Sequence, residues 1–259
     1  MHAESNPDVW WPLGPPRPAS PARLICLPYA GGGASVFRSL RRAAGERLDV
    51  CPVQLPGREA RIREAPFRNM ASLAETLVDV LRPRLASPYG LFGYSMGALI
   101  AFELTGRLAA AGLPPPRTLF VAAATPPHRR KNEAWHRLPD DRFREALRDL
   151  NGTPDAVLEH EELMALLLPT LRADFELCET HPSGRREAVD VPIVAFGGTE
   201  DPSVPLEDLR AWAELTRAGF RAITFPAHHF FLEARAAELL RHVLAEWDSP
   251  AQTDSLARP

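Results

Sequence analysis

Six short apolar runs alternate along the chain with segments of helical periodicity, a rhythm that few folds accept. The runs occupy 24–27, 50–55, 89–94, 118–123, 191–196 and 221–225. Each has the length of a strand buried on both faces. Between them, 34–46, 70–85, 96–111, 206–216 and 231–247 read as helices. Alternation of this kind predicts an α/β fold, a mostly parallel sheet with helices on both faces. One stretch breaks the rhythm. From about 128 to 187 no strand pattern occurs, and helices are predicted over 140–150, 155–168 and 170–179, parted by Gly152, Pro154 and Pro169. This reads as a helical insertion between two strands. Its apolar face (Phe143, Leu147 and Leu150; Leu163, Leu166 and Leu167; Leu171 and Phe175) is expected to pack on the body and to wall an apolar chamber.

Composition narrows the class. The chain has 259 residues, 45% hydrophobic and 24% charged, enough to bury a sizeable core and too apolar for a disordered chain. A net charge of −3 gives no electrostatic case for binding nucleic acid or an anionic membrane. Three widely spaced cysteines, Cys26, Cys51 and Cys178, argue against a disulfide framework or a structural zinc site. Cys26 and Cys51 fall in apolar runs and are expected to be buried thiols. The N-terminus lacks a basic segment followed by an apolar one, and no run of 18 apolar residues occurs, so a cytoplasmic protein is expected. Residues 1–22 form a Pro-rich lead-in whose Trp10 and Trp11 are expected to dock on the body. Residues 248–259 are polar and expected to fray. One domain is expected over 23–247.

The sharpest motif is Gly93-Tyr94-Ser95-Met96-Gly97, set between the apolar run 89–94 and a helical segment. A serine on a tight strand-to-helix turn needs neighbours without side chains, and Gly93 and Gly97 supply them. The turn exposes the Ser95 hydroxyl at the carboxyl edge of the sheet, beside the free N–H groups of a helix start. A chain of this composition would show the pattern by chance ~4% of the time. The bland alternative is a small-residue turn with a capping serine, and the strand–turn–helix setting favours the nucleophile.

A serine hydrolase also needs two N–H donors for its oxyanion. Met96, after the serine, is the first. The second should come from the loop Pro28-Tyr29-Ala30-Gly31-Gly32-Gly33 after the first run. Pro28 has no N–H, which leaves Tyr29, Ala30 or Gly31. The orienting acid should follow a late strand. There Glu200 and Asp201 compete, and the shorter Asp201, just before Pro202, is the commoner type. The base should follow the last strand, where His228 and His229 are adjacent. The other histidines, among them His2, His128, His136 and His181, read as structural or solvated.

Taken with Gln54-Leu55-Pro56-Gly57-Arg58-Glu59 and His229-Phe230-Phe231-Leu232, these motifs resemble the type II (editing) thioesterases. Those are stand-alone α/β-hydrolases of polyketide and non-ribosomal peptide assembly lines. The resemblance runs from about 24 to 247 and implies an α/β-hydrolase fold with a helical lid at 128–187. It implies hydrolysis of acyl groups from the 4′-phosphopantetheine arm of an acyl carrier protein or peptidyl carrier protein, without metal or cofactor. It implies Ser95 as nucleophile, Asp201 as orienting acid, His229 as base, and Ala30 with Met96 as oxyanion donors. His228 departs from the family pattern, which more often has a small or acidic residue there. Two readings arise for Arg58: contact with the arm's phosphate, or a loop salt bridge that holds the 55–59 turn. The second is favoured. A free-standing monomer is expected, and the rival activity is a serine esterase or lipase acting on oxygen esters, which the same triad would serve.

Overall fold

The structure is a computed structural model that describes residues 7–18, 20–85, 88–131, 133–150, 155–182 and 187–248. Six parallel strands form one sheet in the order β2-β1-β3-β4-β5-β6. They are β1 (Arg23–Leu27), β2 (Asp49–Pro52), β3 (Tyr89–Tyr94), β4 (Leu119–Ala122), β5 (Ile193–Gly198) and β6 (Phe220–Phe225). All six apolar runs are therefore strands. β6 departs from the expected full burial: its Arg221 and Thr224 are exposed, and Arg221 pairs with Glu246 of the last helix, whereas β2, the other edge strand, is buried throughout.

Parity along the strands sorts the side chains into two cores. Ile25, Leu27, Leu91 and Val121 face one layer, under α2 (Met70–Leu81) and α3 (Met96–Ala110). Leu24, Cys26, Phe92, Tyr94 and Phe120 face the other, under α1 (Arg38–Ala44) and α8 (Ala236–Asp248). Trp10 and Trp11 join the first layer and are buried, as expected, with the Arg61 guanidinium 4.2 Å from the Trp10 ring centroid. Gly152, Pro154 and the tail beyond 248 lie outside the described residues.

Several helices are shorter than their periodicity suggests. The segment 34–46 begins as a 3₁₀ turn, and 206–216 ends as one after α7 (Leu206–Arg210). The segment 231–247 is helical only from Ala236, since Phe231–Arg235 forms the turn that enters α8. The insertion differs more. It contains α4 (Asp140–Asp149), α5 (Asp155–Leu158) and one long helix, α6 (Glu161–Glu179), which runs straight through Pro169. The break expected at Pro169 occurs upstream, where His160 caps α6 by accepting the Leu163 N–H at 3.3 Å. Proline costs a helix one hydrogen bond, and tertiary packing of Leu168, Thr170 and Leu171 on both sides of it outweighs that loss. The buried stripe of α6 is Met164, Leu168 and Leu171, packed on Phe143 and Leu147. Of the expected apolar face, Leu166 points outward and is 53% exposed.

The sequence order of the strands reverses direction between β1 and β3. Loops leaving the carboxyl ends of these two neighbours diverge and leave a crevice, the preferred ligand site of open α/β sheets. Ser95 leaves β3 and the Pro28–Gly33 loop leaves β1 there. Their approach demands two glycines. A Cβ on Gly93 would overlap the Gly97 carbonyl, and one on Gly97 would overlap the Leu27 carbonyl. Gly97→Ala should therefore destabilise the fold by ~3 kcal/mol or more. Gly106→Ala, on the exposed face of α3 with nothing within 4 Å, should stabilise it by ~0.5–1 kcal/mol. Urea midpoints of the two variants test this contrast.

Candidate active site

Ser95 joins β3 to α3 with φ +53°, a conformation that non-glycine residues rarely hold. Its own N–H donates to the Ala122 carbonyl at 2.8 Å, and its carbonyl accepts the Ala98 N–H at 2.9 Å. These bonds hold the turn, so the strain is balanced by the sheet and the helix rather than by the serine side chain. The hydroxyl is left for His229, whose Nε2 lies 3.2 Å from Ser95 Oγ. His229 Nδ1 lies 2.7 Å from Asp201 Oδ2. Asp201 is buried, and its Oδ1 accepts the Ser203 N–H at 2.9 Å. One carboxylate oxygen is thus fixed by the backbone and the other meets the imidazole. The three groups come from the ends of β3, β5 and β6.

The competing neighbours point elsewhere. Glu200 is exposed, and His228 turns outward to it, with Nδ1 2.9 Å from the Glu200 carbonyl and Nε2 3.3 Å from its carboxylate. His229 is held by Tyr94, a residue that sequence reasoning passed over. The Tyr94 hydroxyl donates to the His229 carbonyl at 2.5 Å and accepts the Phe231 N–H at 2.9 Å. Burial pushes its phenol pKa far up, so it stays a donor across the working pH range. No sequence signal marks this role, since Tyr94 occupies the unrestricted position of the serine motif.

The β1 loop supplies the other half. Tyr29–Gly32 form a turn closed by the Gly32 N–H donating to the Tyr29 carbonyl at 2.9 Å, with Gly31 at φ +77°. This is the type II pattern, which needs a positive φ at the third residue. Of the three possible donors, Gly31 is engaged: its N–H donates to Asp174 Oδ2 at 2.7 Å. Ala30 and Tyr29 line the cavity beside Ser95, together with Met96. Met96 opens α3, so its N–H has no acceptor within the helix.

The cavity above Ser95 measures about 460 Å³. Its walls mix Tyr29, Met96 and Phe230 from the body with Leu150, Leu171 and Phe175 from the helical insertion. That volume fits a small-molecule chain rather than a protein segment. Among the described residues, no group of three or more His, Cys, Asp or Glu side chains could hold a metal. Nor is any helix of these residues long and apolar enough to cross a membrane.

The Thioesterase domain model matches residues 22–246. The chain belongs to the thioesterase family. It is similar to the gramicidin S biosynthesis protein GrsT of Aneurinibacillus migulanus, 38% identical over 91% of this chain and 93% of that one. It is also similar to RedJ, a thioesterase of the prodiginine pathway of Streptomyces coelicolor. That match is 42% identical with TM-score 0.83, covering 90% of this chain and 93% of RedJ. BorB, the type II thioesterase of the borrelidin cluster, superposes with TM-score 0.82 at 38% identity, over 92% of this chain and 98% of BorB.

Within this thioesterase, Arg58 is buried and forms a salt bridge, as the favoured sequence reading expects, but its partner lies in α6 and not in its own loop. Its Nη1 and Nη2 donate to Asp174 of α6 at 2.6 and 2.8 Å, and its Nε donates to the Pro56 carbonyl at 3.1 Å. Glu59 instead meets Ser35. Removing one partner of such a buried pair leaves an uncompensated charge, costing about 3–5 kcal/mol. Asp174 sits in the helical insertion 116 residues from Arg58, so no local pattern announces the pair.

The remaining polar groups have structural settings. His136 Nδ1 lies 2.5 Å from Glu179, and His128 lies 3.3 Å from Glu214. His2 is outside the described residues. All three thiols are free and buried. Burial raises each of them, Cys178 to about 11, so none is a competing nucleophile near neutral pH. Tyr94→Phe should remove both anchors of the His229 segment. The expected cost is ~1–3 kcal/mol of stability, with a fall in turnover of roughly tenfold. Thermal melts and ester hydrolysis rates check the two effects together.

Proposed function

We propose that the chain is a serine thioesterase that clears aberrant or stalled acyl groups from the 4′-phosphopantetheine arm of an acyl or peptidyl carrier protein. One observation carries the reading: a Ser95–His229–Asp201 line at the floor of an acyl-sized cavity. Membership of the thioesterase family and likeness to type II thioesterases of biosynthetic clusters support the substrate class. We read 23–247 as one hydrolase domain, with 128–187 as its lid, acting as a monomer in the cytoplasm.

The reaction follows from the geometry. His229 Nε2 takes the Ser95 proton as Oγ attacks the thioester carbonyl. The Met96 and Ala30 N–H groups hold the oxyanion. Asp201 holds the imidazole with Nδ1 protonated, so that Nε2 faces the serine as a base. The C–S bond then breaks, the proton passes from His229 to the departing sulfur, and the acyl group remains on Ser95. Water, deprotonated by His229, attacks that ester, and the acid leaves as the proton returns to Ser95. No metal or cofactor enters this scheme.

The test is a panel of acyl groups loaded on a carrier protein. Wild type should release them, and Ser95→Ala should be slower by about 10⁴-fold or more. Intact carrier thioesters alongside rapid cleavage of simple oxygen esters would overturn the substrate class in favour of an esterase.

A further inference from the structure

Asp174 touches two things at once that the hydrolase scheme keeps separate. Its Oδ2 accepts the Arg58 guanidinium at 2.6 Å and the Gly31 N–H at 2.7 Å, while Oδ1 accepts the second Arg58 nitrogen at 2.8 Å. Arg58 in turn approaches the Gly32 carbonyl at 3.4 Å. The pair therefore grips the turn that contains Ala30 at Gly31 and at Gly32, with Asp174 itself in the cavity wall. Asp174 and Leu171 lie one turn apart on α6, and a Cβ on Gly31 would meet Leu171 Cδ2 at 2.6 Å. The loop has no slack toward the helix.

The bonded amide is the informative one. In a turn closed between Tyr29 and Gly32, the Ala30–Gly31 peptide plane is the part that flips between type I and type II. Gly31 supplies the positive φ that permits type II, but glycine also permits type I. Local sequence thus leaves the turn free to choose. A buried carboxylate accepting the Gly31 N–H makes the choice, and a bidentate arginine fixes that carboxylate in turn. The Ala30 N–H lies on the preceding peptide and keeps its direction in either turn type; what the bonds to Gly31 and Gly32 fix is the position of the turn that carries it.

We propose that Arg58 and Asp174 are positioning residues that lock the Ala30 turn in its oxyanion-binding form, so that the covering helix α6 governs transition-state stabilisation and not only access. The proposal rests on the assignment of Ala30 as an oxyanion donor. It does not depend on the carrier protein, so it is tested on a p-nitrophenyl acyl ester, which needs the Ser95–His229–Asp201 groups and the oxyanion donors but no carrier. Failure on carrier thioesters would then leave this test standing.

Thr170 provides the comparison. Its hydroxyl donates to the Gly57 carbonyl at 2.5 Å from the same face of α6, so it also docks the helix, but it does not touch the Ala30 turn. Asp174→Asn should lower kcat by about 10- to 100-fold with KM within about twofold, and Thr170→Val should leave kcat within about twofold. A second readout is affinity for an acyl trifluoromethyl ketone. There Ser95 Oγ bonds to the ketone carbon, the carbonyl π pair becomes the oxyanion, and the serine proton passes to His229. Affinity should fall with Asp174→Asn in proportion to kcat, while binding of the product acid stays unchanged. If Asp174→Asn does not fold, Arg58→Lys keeps the charge and loses the bidentate grip, and should show the same pattern with a smaller drop. Equal losses in Asp174→Asn and Thr170→Val would overturn the proposal, as would a rise in KM with kcat intact. So would unchanged ketone affinity in a folded variant.

Discussion

The Leu27 carbonyl lies where the side chain of residue 97 would begin. That one close approach brings the end of β1 against the start of α3, and through Gly93 it brings α3 against the end of β3. It sets how near the Pro28–Gly33 loop stands to Ser95. A larger residue at Gly97 would part β1 from α3 and one at Gly93 would part β3 from α3, and either would move the Pro28–Gly33 loop relative to Ser95. The strained φ of Ser95 follows from the same crowding, and the bonds to Ala122 and Ala98 keep it in place.

Around this fixed point the other groups arrive on longer chains. Asp201 leaves β5 and His229 leaves β6, at the open edge of the sheet, where a loop has little support from neighbouring strands. Aromatic packing supplies it. Tyr94 stands edge-on to His229 and Tyr29, and Phe230 packs against both Tyr29 and His229. The Tyr94 hydroxyl then pins the backbone on both sides of Phe230, at the His229 carbonyl and the Phe231 N–H. The residue before the serine thus secures the histidine, which couples the two partners through one ring.

The helical insertion is tied down by charge and by apolar packing together. Its own cluster, Phe143, Leu147, Leu158, Met164, Leu168 and Leu171, is separate from the two layers of the sheet. Its buried polar links to the body are Asp174 on Arg58 and Thr170 on Gly57, while Leu177 and Cys178 of α6 pack into the first layer of the sheet. Leu150, Leu171 and Phe175 are left to line the cavity.

Much of this was legible in the chain. The apolar runs gave all six strands, because burial on both faces leaves a continuous apolar signature. Gly93 and Gly97 around Ser95 marked the turn, because only glycine tolerates that contact. Local pattern failed where tertiary packing overrode it. Pro169 sits inside α6 because buried neighbours on both sides hold the helix, and β6 keeps an exposed face on which Arg221 pairs with Glu246 of α8. The choice between His228 and His229, and between Glu200 and Asp201, was likewise beyond composition or spacing, since adjacent residues on a turn differ only in direction. The sequence by itself determined the strands, their order of chemistry and the serine turn, all of which depend on contacts within a few residues. Tertiary structure alone decided which histidine faces the serine, which amide of the β1 loop Asp174 engages, and that Arg58 meets Asp174. Those are matters of orientation between segments more than a hundred residues apart, and no local pattern encodes them.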